Sequence, residues 1–367
     1  MTGVIVHDWL EKNDKGGGGS VKVAARFAAM YPDAPIFTLW NDDHGRFPPE
    51  RVTESWLAKS PLRNSKALSV PLMDAAWRTL PRLDAEWVLC SSHAFAHHAR
   101  FAGAARGAPK FVYVHSPARY IWVPEIDRRG SSAAVRLASP PLRWLDRARA
   151  REAHSIAANS EFVRRRVQDT WRRDAEVIYP PTDVGRFAGA PRLTEADEEL
   201  LDSLPDVFLL GASRFIEYKR LDLVITSGAA AGLPVVLAGE GPYETALRSM
   251  AEASSASVTF LTRPSDELLH ALYQRALALV FPAIEDFGLM PVEAMAAGTP
   301  VIGRSAGGVA ETVEDGVSGF LLNEFTPEEL RTVIPRLSSL KKDSIIARAQ
   351  RFGEDEFRAA IQNWIGF

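Results

Sequence analysis

Short apolar runs alternate with helical stretches along the whole chain. The runs are rich in Val, Ile, Leu and Phe, lack strict alternation of apolar and polar positions, and lead into loops with Gly, Asn, Asp or Ser. Such strands are buried on both faces, which is typical of a parallel sheet covered by helices. The pattern predicts eleven strands, at 4–9, 35–40, 87–92, 110–116, 155–160, 176–180, 207–213, 234–240, 257–262, 277–282 and 300–305.

This alternation predicts an α/β fold with two Rossmann-like domains, because 367 residues exceed what one hydrophobic core usually organises. The boundary is expected in the segment YPPTDVGRF, 179–187, where two prolines fix the backbone. The predicted domains are 1–182 and 183–353, with a last helix, 354–367, packing back on the first. Ligands bind beyond the carboxyl ends of parallel strands, so we expect the domains to face each other across a cleft lined by both sets of loops.

The composition is that of a soluble globular protein, with 46% hydrophobic and 24% charged residues. The single cysteine, Cys90, has no partner for an intramolecular disulfide. The first residues have neither a basic segment nor a long apolar one, and no stretch approaches the roughly 20 apolar residues of a membrane span. We therefore expect a cytoplasmic protein whose membrane contact, if it has one, is peripheral.

Charge is distributed unevenly along the chain. Residues 1–180 carry a net charge of +8 and residues 181–367 a net charge of −11. Basic residues concentrate in 128–151 and 164–173, which are either solvated helix faces or patches that meet anionic lipid or nucleic acid. The chain lacks RNA-reading motifs, so we expect no nucleic-acid partner.

The strongest local signal is FPAIEDFGLMPVEAMAAGTPVI, 281–302, which predicts a strand, a turn, a helix and a second strand. The backbone N–H groups of Gly288, Leu289 and Met290 would lie at the positive end of the helix dipole, where a diphosphate binds well. Glu285 and Glu293 flank this anion site and could accept hydrogen bonds from sugar hydroxyls. In the alternative interpretation Glu285 caps the helix and Glu293 is only solvated.

A second signal is VFLLGASRFIEYKRLD, 207–222, a buried strand that runs into a loop with Arg214 and Lys219. A guanidinium and an ammonium at a strand's carboxyl end suit a diphosphate whose charge grows as it leaves. The alternative is an ordinary exposed network with Glu217.

These segments together resemble the retaining GT-B glycosyltransferases of family 4, and the resemblance covers both halves of the chain. In the second half it rests on SRFIEYKRLD, AGEGPY, EDFGLMPVE, EAMAAGTPVI and GGVAETVEDGVSGFL, and at the boundary on YPPTDVGRF. In the first half HDWL, YPDAPIFTL, SSHAFA and HSPARYIW are similar to a subgroup that often transfers mannose or a related hexose to lipid-linked glycans.

The resemblance implies a role for each matching residue. Arg214 and Lys219 would hold the donor diphosphate, Glu285 would bind hydroxyls of the transferred sugar, and Glu293 would bind the nucleotide ribose. His115 resembles the histidine that faces the donor sugar; its alternative is a structural histidine at the edge of the core. The other implied donor contacts are Gly288, Leu289, Met290, Ser213, Gly239 and Gly241.

One segment departs from the family pattern. Where the family has Gly-Gly-Glu-Lys at the start of the first helix, this chain has Gly19, Ser20, Val21 and Lys22, so the carboxylate is missing. Glycines 16–19 offer exposed amides near the donor phosphates, with Gly18 and Gly19 as donor-binding candidates, but they also resemble a flexible linker. Two further residues, Asp8 and Arg119, are candidates for acceptor binding.

No metal is expected at the site. The chain lacks the Asp-x-Asp pair with which many sugar transferases hold a cation, and a helix dipole with Arg214 and Lys219 would replace it. His93 and His97 lie four residues apart on a predicted helix, a spacing that can bind a metal, but no third ligand of suitable spacing follows.

The resemblance implies a metal-independent retaining hexosyltransferase that uses a nucleoside-diphosphate sugar, GDP-mannose first and a UDP-hexose next. Its acceptor would be a glycan or a polyprenyl-linked glycan of polysaccharide or glycoconjugate biosynthesis. Basic segments with exposed Trp144 and Trp171 would dock on the anionic inner membrane face. The alternatives are a GT-B epimerase or hydrolase of nucleotide sugars, and a non-catalytic nucleotide-sugar-binding protein.

Overall fold

The computed structural model of the chain describes residues 2–11, 18–123 and 133–366. The chain divides into two compact units, the first formed by Met1–Pro180 with Arg358–Phe367 and the second by Pro181–Phe357. Each unit has its own parallel sheet and its own hydrophobic core. The α/β class predicted from the alternating pattern is confirmed.

The first unit is built on a seven-stranded parallel sheet. Its strands are β1 (Gly3–His7), β2 (Ile36–Thr38), β3 (Val52–Glu54), β4 (Trp87–Ser92), β5 (Lys110–Val114), β6 (Ser155–Ala158) and β7 (Glu176–Val177). In space they follow the order β3-β2-β1-β4-β5-β6-β7. The direction of winding reverses between β1 and β4, and in open sheets the crevice at such a reversal is where ligands bind.

Helices and large aromatic side chains cover this sheet. The helices are α1 (Gly19–Met30), α2 (Lys66–Arg78), α3 (Arg119–Trp122), α4 (Ala133–Ala150) and α5 (Glu161–Trp171). Every residue of β1, β4 and β5 is buried, as burial on both faces requires. Trp40, Trp77 and Trp171 are at most 2% exposed within the core, and each such ring buries about 150–250 Å².

The second unit is built on a six-stranded parallel sheet. Its strands are β8 (Leu209–Ala212), β9 (Val235–Ala238), β10 (Val258–Leu261), β11 (Ala278–Phe281), β12 (Val301–Arg304) and β13 (Gly319–Leu322). Their spatial order is β10-β9-β8-β11-β12-β13, so the winding reverses between β8 and β11. The loops that leave these two central strands therefore flank the expected ligand crevice.

The helices of the second unit differ in how they begin, and two of them start with a capping box. They are α6 (Val184–Ala188), α7 (Glu195–Asp202), α8 (Asp222–Ala231), α9 (Glu244–Glu252), α10 (Asp266–Arg275), α11 (Leu289–Ala296), α12 (Val309–Thr312), α13 (Pro327–Val333) and α14 (Lys342–Gln350). Thr194 and Asp197 form a capping box at the start of α7, and Thr326 and Glu329 form one at α13. Each box satisfies N–H groups that a helix start leaves without intrahelical partners.

The last helix, α15 (Glu354–Ile365), contains the division between the units, which falls between Phe357 and Arg358. Near its end the indole Nε1 of Trp364 donates a hydrogen bond to Oγ of Ser155 at 2.7 Å. The Trp364 ring also meets Phe111 edge-on, with the centroids 5.3 Å apart. These contacts hold the end of α15 against β5 and β6.

All eleven predicted strands occur, and the predicted bounds 87–92 are those of β4. Most of the others end earlier than predicted, because the polar residues that follow the apolar run belong to the loops. The pattern does not predict β3 or β13. Strand β3 has three residues, none of them buried, and β13 follows a tight turn at Gly316 that breaks the apolar run.

Candidate functional site

The predicted donor residues of the second unit lie at the carboxyl ends of adjacent strands. Ser213 and Arg214 follow β8, Gly239 and Gly241 follow β9, and 285–290 follow β11, which pairs with β8. These strands surround the point at which the winding reverses. The fold thus brings together at one edge segments that are far apart in the sequence.

Lys219 and Glu285 form an ion pair at this edge. Lys219 ends the 3-10 helix Glu217–Lys219, and its Nζ donates a hydrogen bond to Oε1 of Glu285. The two side chains are 11% and 22% exposed, so solvent screens their attraction less than it screens a surface pair. The alternative in which Lys219 belongs to an exposed network with Glu217 is therefore wrong, and Glu285 pairs with the lysine rather than with the first turn of α11.

The start of α11 is shaped to receive an anion. Gly288 has φ +90°, a left-handed conformation that favours glycine, and it directly precedes Leu289. Within the described part of the chain, no side chain accepts a hydrogen bond from the N–H groups of Leu289 and Met290. Uncapped N–H groups at a helix start carry partial positive charge and bind phosphate.

Glu293 is buried in α11 rather than solvated. It is 8% exposed, and its Oε2 accepts a hydrogen bond from the Tyr273 hydroxyl at 3.3 Å. Burial and then the charge of Glu293 raise the pKa of Tyr273 well above its ordinary value. The expectation that Glu293 only solvates the helix is wrong. The sequence did not single out Tyr273, because a tyrosine among the apolar residues of α10 also fits a plain core position.

The loops after β8 and β9 pack directly on each other. Gly239 has φ +146°, and a Cβ at this position would overlap the carbonyl oxygen of Ser213. Phe215 N donates to the carbonyl of Glu240 at 2.7 Å, which ties the two loops together. The glycine is thus needed for backbone conformation and for close approach.

Arg214 is exposed at the start of the loop after β8. Among the residues that the structure describes, its guanidinium has no acidic partner within ion-pair distance. A cation without a carboxylate partner, beside the Lys219–Glu285 pair, can bind an anionic ligand without first breaking an ion pair.

In the first unit, His115 directly follows β5 and is 8% exposed. Its backbone N–H donates to the carbonyl of Ser92 at 2.8 Å, and its Nε2 lies 2.8 Å from Oγ of Ser91. Burial, and then the neighbouring His93 and His7, lower the pKa of His115 well below its ordinary value. The ring is therefore neutral at physiological pH. Arg119, an acceptor-binding candidate, begins α3 four residues further on.

Asp8 is fully buried at the end of β1. Its Oδ2 accepts hydrogen bonds from the N–H groups of His93 and Ala94 at 2.7 and 2.8 Å, and its Oδ1 accepts one from Phe95 at 2.7 Å. These bonds hold the loop that leaves β4. Acceptor binding by Asp8 stays a prediction, and the geometry gives the carboxylate a structural task.

Gly18 and Gly19 mark the start of α1, and both are exposed. The carbonyl of Gly18 accepts hydrogen bonds from Val21 N at 2.9 Å and Lys22 N at 3.2 Å. Residues 16 and 17 of the glycine run lie outside the described residues. The donor-binding role of Gly18 and Gly19 stays a prediction.

The helix predicted to carry His93 and His97 does not form. His97 lies in the 3-10 helix Ala96–His98, which does not include His93. Within the described ranges, the side chains grouped closely enough to hold a metal ion are those of His97, His98 and Asp146, with ligand atoms within 4.8 Å of one another. This cluster is buried in the first unit, and sequence spacing does not reveal it because Asp146 comes from α4.

Hydrogen bonds organise this buried cluster. Oδ1 of Asp146 lies 3.1 Å from Nε2 of His98 and of His97, and its Oδ2 accepts from Nε1 of Trp122 at 2.7 Å and of Trp171 at 2.6 Å. Burial alone would raise the pKa of Asp146, but the two histidines hold it far below its ordinary range. The ionised carboxylate thus joins the 3-10 helix Ala96–His98, α3, α4 and α5.

The two tryptophans predicted to be exposed differ. Trp144 in α4 is 71% exposed, as predicted. Trp171 is 1% exposed and bonded to Asp146, so its prediction as a membrane contact is wrong. The apolar face of α5 turns Trp171 into the core. In the described part of the chain, no helix combines the length and apolar character needed to cross a bilayer.

Two family models match consecutive parts of the chain. The model "Glycosyltransferase Family 4" matches residues 17–186, and "Glycosyl transferases group 1" matches residues 194–355. Together they cover nearly all of both units.

Curated relatives match about half of the chain. The alpha-1,3/1,6-mannosyltransferase alg-2 of Neurospora crassa is 28% identical over 210 residues, 46% of this chain and 45% of its own length. A D-inositol 3-phosphate glycosyltransferase of Mycobacterium avium is 32% identical over 228 residues, 56% of this chain and 53% of its own length. The chain thus spans about half the length of the curated relatives it matches.

Solved structures match over the full length. Anabaena Alr3699/HepE in complex with UDP-glucose has a TM-score of 0.70 at 19% identity and covers 99% of both chains. Sucrose-phosphate synthase from Thermosynechococcus elongatus has a TM-score of 0.70 at 18% identity and covers 98% of both chains. These likenesses show the GT-B fold.

The fold and the two matched models define the class of the protein as a GT-B glycosyltransferase. Within that class, the chain belongs to the GT4-like glycosyltransferases, as the motifs quoted from its sequence predict.

Proposed function

We propose that this protein is a retaining, metal-independent hexosyltransferase that uses a nucleoside-diphosphate sugar as donor. The observation that carries the proposal is the Lys219–Glu285 pair at the carboxyl ends of the central strands, beside the uncapped start of α11. The second unit would bind the donor and the first unit the acceptor. Arg214 and Lys219 offer two cations, and Leu289 and Met290 offer N–H groups, so the diphosphate is held without a metal ion.

The bound sugar would lie against Glu285. An ionised carboxylate is acceptor-only, so Glu285 can receive hydrogen bonds from the hydroxyls of the transferred hexose while Lys219 turns toward the diphosphate. Glu293 is buried about one turn after the start of α11, and it can accept hydrogen bonds from the two ribose hydroxyls. The backbone of Gly239 and Gly241 would border the nucleoside.

In the reaction, the bond between the anomeric carbon and the diphosphate oxygen breaks, and its electron pair leaves with the diphosphate. The acceptor oxygen forms the new bond on the same face, and its proton passes to the departing phosphate oxygen. No separate general base is needed, so the protein's part is to orient both partners and to stabilise the growing negative charge. Arg214, Lys219 and the start of α11 supply that stabilisation.

The donor sugar is proposed to be mannose from GDP-mannose, with a UDP-hexose as the second candidate. GDP-mannose is proposed from the subgroup resemblance and from the mannosyltransferase among the relatives. A UDP-hexose is proposed because the Anabaena structure contains UDP-glucose. The acceptor is proposed to be a glycan or polyprenyl-linked glycan in polysaccharide or glycoconjugate biosynthesis.

Binding of nucleotides by calorimetry tests the donor site. GDP, UDP, ADP and their sugars are titrated in the presence of EDTA into wild type and Glu293→Gln. We expect one nucleotide series to bind wild type and to bind Glu293→Gln much more weakly, while the exposed control Glu252→Gln binds as wild type. Absence of binding by every nucleotide would contradict the proposal and favour a protein that has lost its donor site.

Analysis of the products then distinguishes sugar transfer from the alternative reactions. Release of nucleoside diphosphate that depends on an added glycan acceptor supports transfer. Donor consumption without an acceptor would indicate an epimerase or hydrolase, and binding without turnover would indicate a non-catalytic nucleotide-sugar-binding protein.

A peripheral location on the inner face of the membrane is part of the proposal. Trp144 is exposed on α4, which lies in the basic segment 128–151. An exposed indole among arginines suits the interface of an anionic bilayer. We expect the protein to float with phosphatidylcholine vesicles that contain phosphatidylglycerol, and less so at high salt. Trp144→Ala should reduce flotation and Trp56→Ala, also exposed, should not; equal flotation with neutral vesicles would contradict this location.

A further inference from the structure

Three polar side chains form a line across the central strands of the first unit. His7 ends β1, Ser91 lies near the end of β4, and His115 follows β5. These strands are neighbours in the sheet, and His7 and Ser91 are partners in its register. The line therefore crosses the point at which the winding of this sheet reverses, where ligands bind in open α/β sheets.

Hydrogen bonds connect the three side chains. Nδ1 of His7 lies 3.1 Å from Oγ of Ser91, and the same oxygen lies 2.8 Å from Nε2 of His115. His7 and Ser91 are fully buried. Burial, and then the neighbouring His93, lower the pKa of His7 to about 3, although Asp8 raises it in part. Both imidazoles are therefore neutral, and each carries one N–H.

The direction of the hydrogen bonds follows from His7. Its Nε2 is buried and has no hydrogen-bond partner among the described residues. A buried N–H without a partner is rarer in proteins than a buried acceptor without one, so the hydrogen of His7 belongs on Nδ1. His7 then donates to Ser91. The serine has one hydroxyl hydrogen and directs it to Nε2 of His115, whose own hydrogen must therefore be on Nδ1.

We propose that His7 and Ser91 are positioning residues that fix His115 as the Nδ1–H tautomer, a neutral donor of a hydrogen bond to an oxygen of a bound sugar substrate. Within the described residues, Nδ1 of His115 makes no hydrogen bond with the protein, so it is available for this contact. The assignment rests on the proposed function. It also agrees with the proposed chemistry, because a donor at this position orients the sugar while the departing phosphate takes the acceptor proton.

The tautomer can be observed without any substitution. Long-range 1H–15N NMR of the wild-type protein distinguishes a ring protonated on Nδ1 from one protonated on Nε2, and the His115 signals are identified by their loss in His115→Gln. We expect Nδ1–H in the wild type. A ring of His115 protonated on Nε2 would overturn the proposal, whatever the activity of the protein.

Kinetics of Ser91→Ala test the positioning role. Ser92→Ala is the matched control, because Ser92 is equally buried but its hydroxyl bonds to His97 and not to the His115 ring. Loss of orientation should lower kcat of Ser91→Ala by about 10- to 100-fold. The KM for donor, and the Kd for the nucleoside diphosphate alone, should stay as in wild type, and Ser91→Thr, which keeps the hydroxyl, should recover most of kcat.

The possible failures are distinguishable. Equal kcat in Ser91→Ala and Ser92→Ala, with normal turnover by wild type, would overturn the positioning role and leave the proposed function intact. A wild type that binds no nucleoside diphosphate would overturn the proposed function, and the NMR result would still report the tautomer.

Discussion

Lys219 donates a hydrogen bond from its Nζ to Oε1 of Glu285, a residue 66 positions further along the chain. The contact joins the loops that leave the two central strands of the second sheet. It pairs the cation proposed to meet the diphosphate with the carboxylate proposed to meet the sugar. Each residue holds the other in place before the donor arrives, and Lys219 would then turn from Glu285 toward the diphosphate as the sugar hydroxyls replace it.

Lys219→Ala should lower kcat by about 10²–10³-fold, because the growing charge of the leaving diphosphate loses a preorganised partner. The melting temperature should change little. Arg248→Ala removes an exposed cation that pairs with Glu244 in α9, and it serves as the matched control. Steady-state kinetics with the donor found by calorimetry measure the effect. Wild-type rates in Lys219→Ala would contradict the proposal that Lys219 binds the diphosphate.

Asp8→Ala should destabilise the protein by about 2–3 kcal/mol or more, because the buried carboxylate accepts hydrogen bonds from three backbone N–H groups that would lose their partner. Urea unfolding measures the change. Asp43→Ala, which removes a partly exposed carboxylate paired with Arg46, is the comparison. Unchanged stability together with a raised KM for acceptor would instead support acceptor binding by Asp8.

Gly239→Ala should lower the free energy of unfolding by about 2 kcal/mol or more, because the φ of +146° is unfavourable for alanine and the new Cβ would overlap Ser213. Gly18→Ala should be close to neutral. Its φ is −69°, and a Cβ there would meet nothing within 4 Å. The entropy it removes from the unfolded chain offsets the weaker helix cap. Thermal unfolding of the two variants checks the contrast, and equal losses would contradict it.

Asp146→Asn should destabilise the protein by about 3 kcal/mol or more at pH 7, since it removes one partner of a buried charge pair. Burial alone would lower the pKa of His98, but Asp146 and Asp74 raise it above its ordinary value. The stability that charged His98 contributes is therefore complete below the unfolded pKa of about 6.5 and is lost as pH rises through the folded pKa.

The pH dependence provides a second measurement on the same pair. The stability difference between wild type and Asp146→Asn should shrink from pH 7 to pH 9 as His98 loses its proton. His97, whose pKa burial lowers, is neutral in the folded protein throughout this range and does not contribute. Urea unfolding at both pH values tests this, and a constant difference would show that His98 does not lose a proton between pH 7 and pH 9 in the folded protein.

The sequence predicted the strands well because burial on both faces leaves a run of apolar residues that local reading detects. It also predicted the loops that follow β8 and β11, since glycine, proline and charged residues mark strand ends. It failed for contacts that depend on distant segments. The burial of Trp171 follows from Asp146 in another helix, and nothing near residue 171 reveals that partner.

The hydrogen bonds that join His7, Ser91 and His115 could not be predicted from the sequence for the same reason. Ser91 reads as one more small residue at the end of an apolar strand, and His7 as an isolated histidine. Their significance appears only when the sheet order places β1, β4 and β5 side by side. The local sequence pattern thus predicts which residues lie at the edge of the sheet. Which side chains contact each other across the strands can be determined only once the strand order is known.

The last helix has a consequence for how the protein is made. Residues from Arg358 onward belong to the first unit, and Trp364 bonds to Ser155 beside Phe111. During synthesis on a ribosome, the first unit therefore cannot cover that part of its surface until the whole second unit has been translated. A fragment ending at Pro180 would keep this surface uncovered, so the first unit completes its fold last although it is synthesised first.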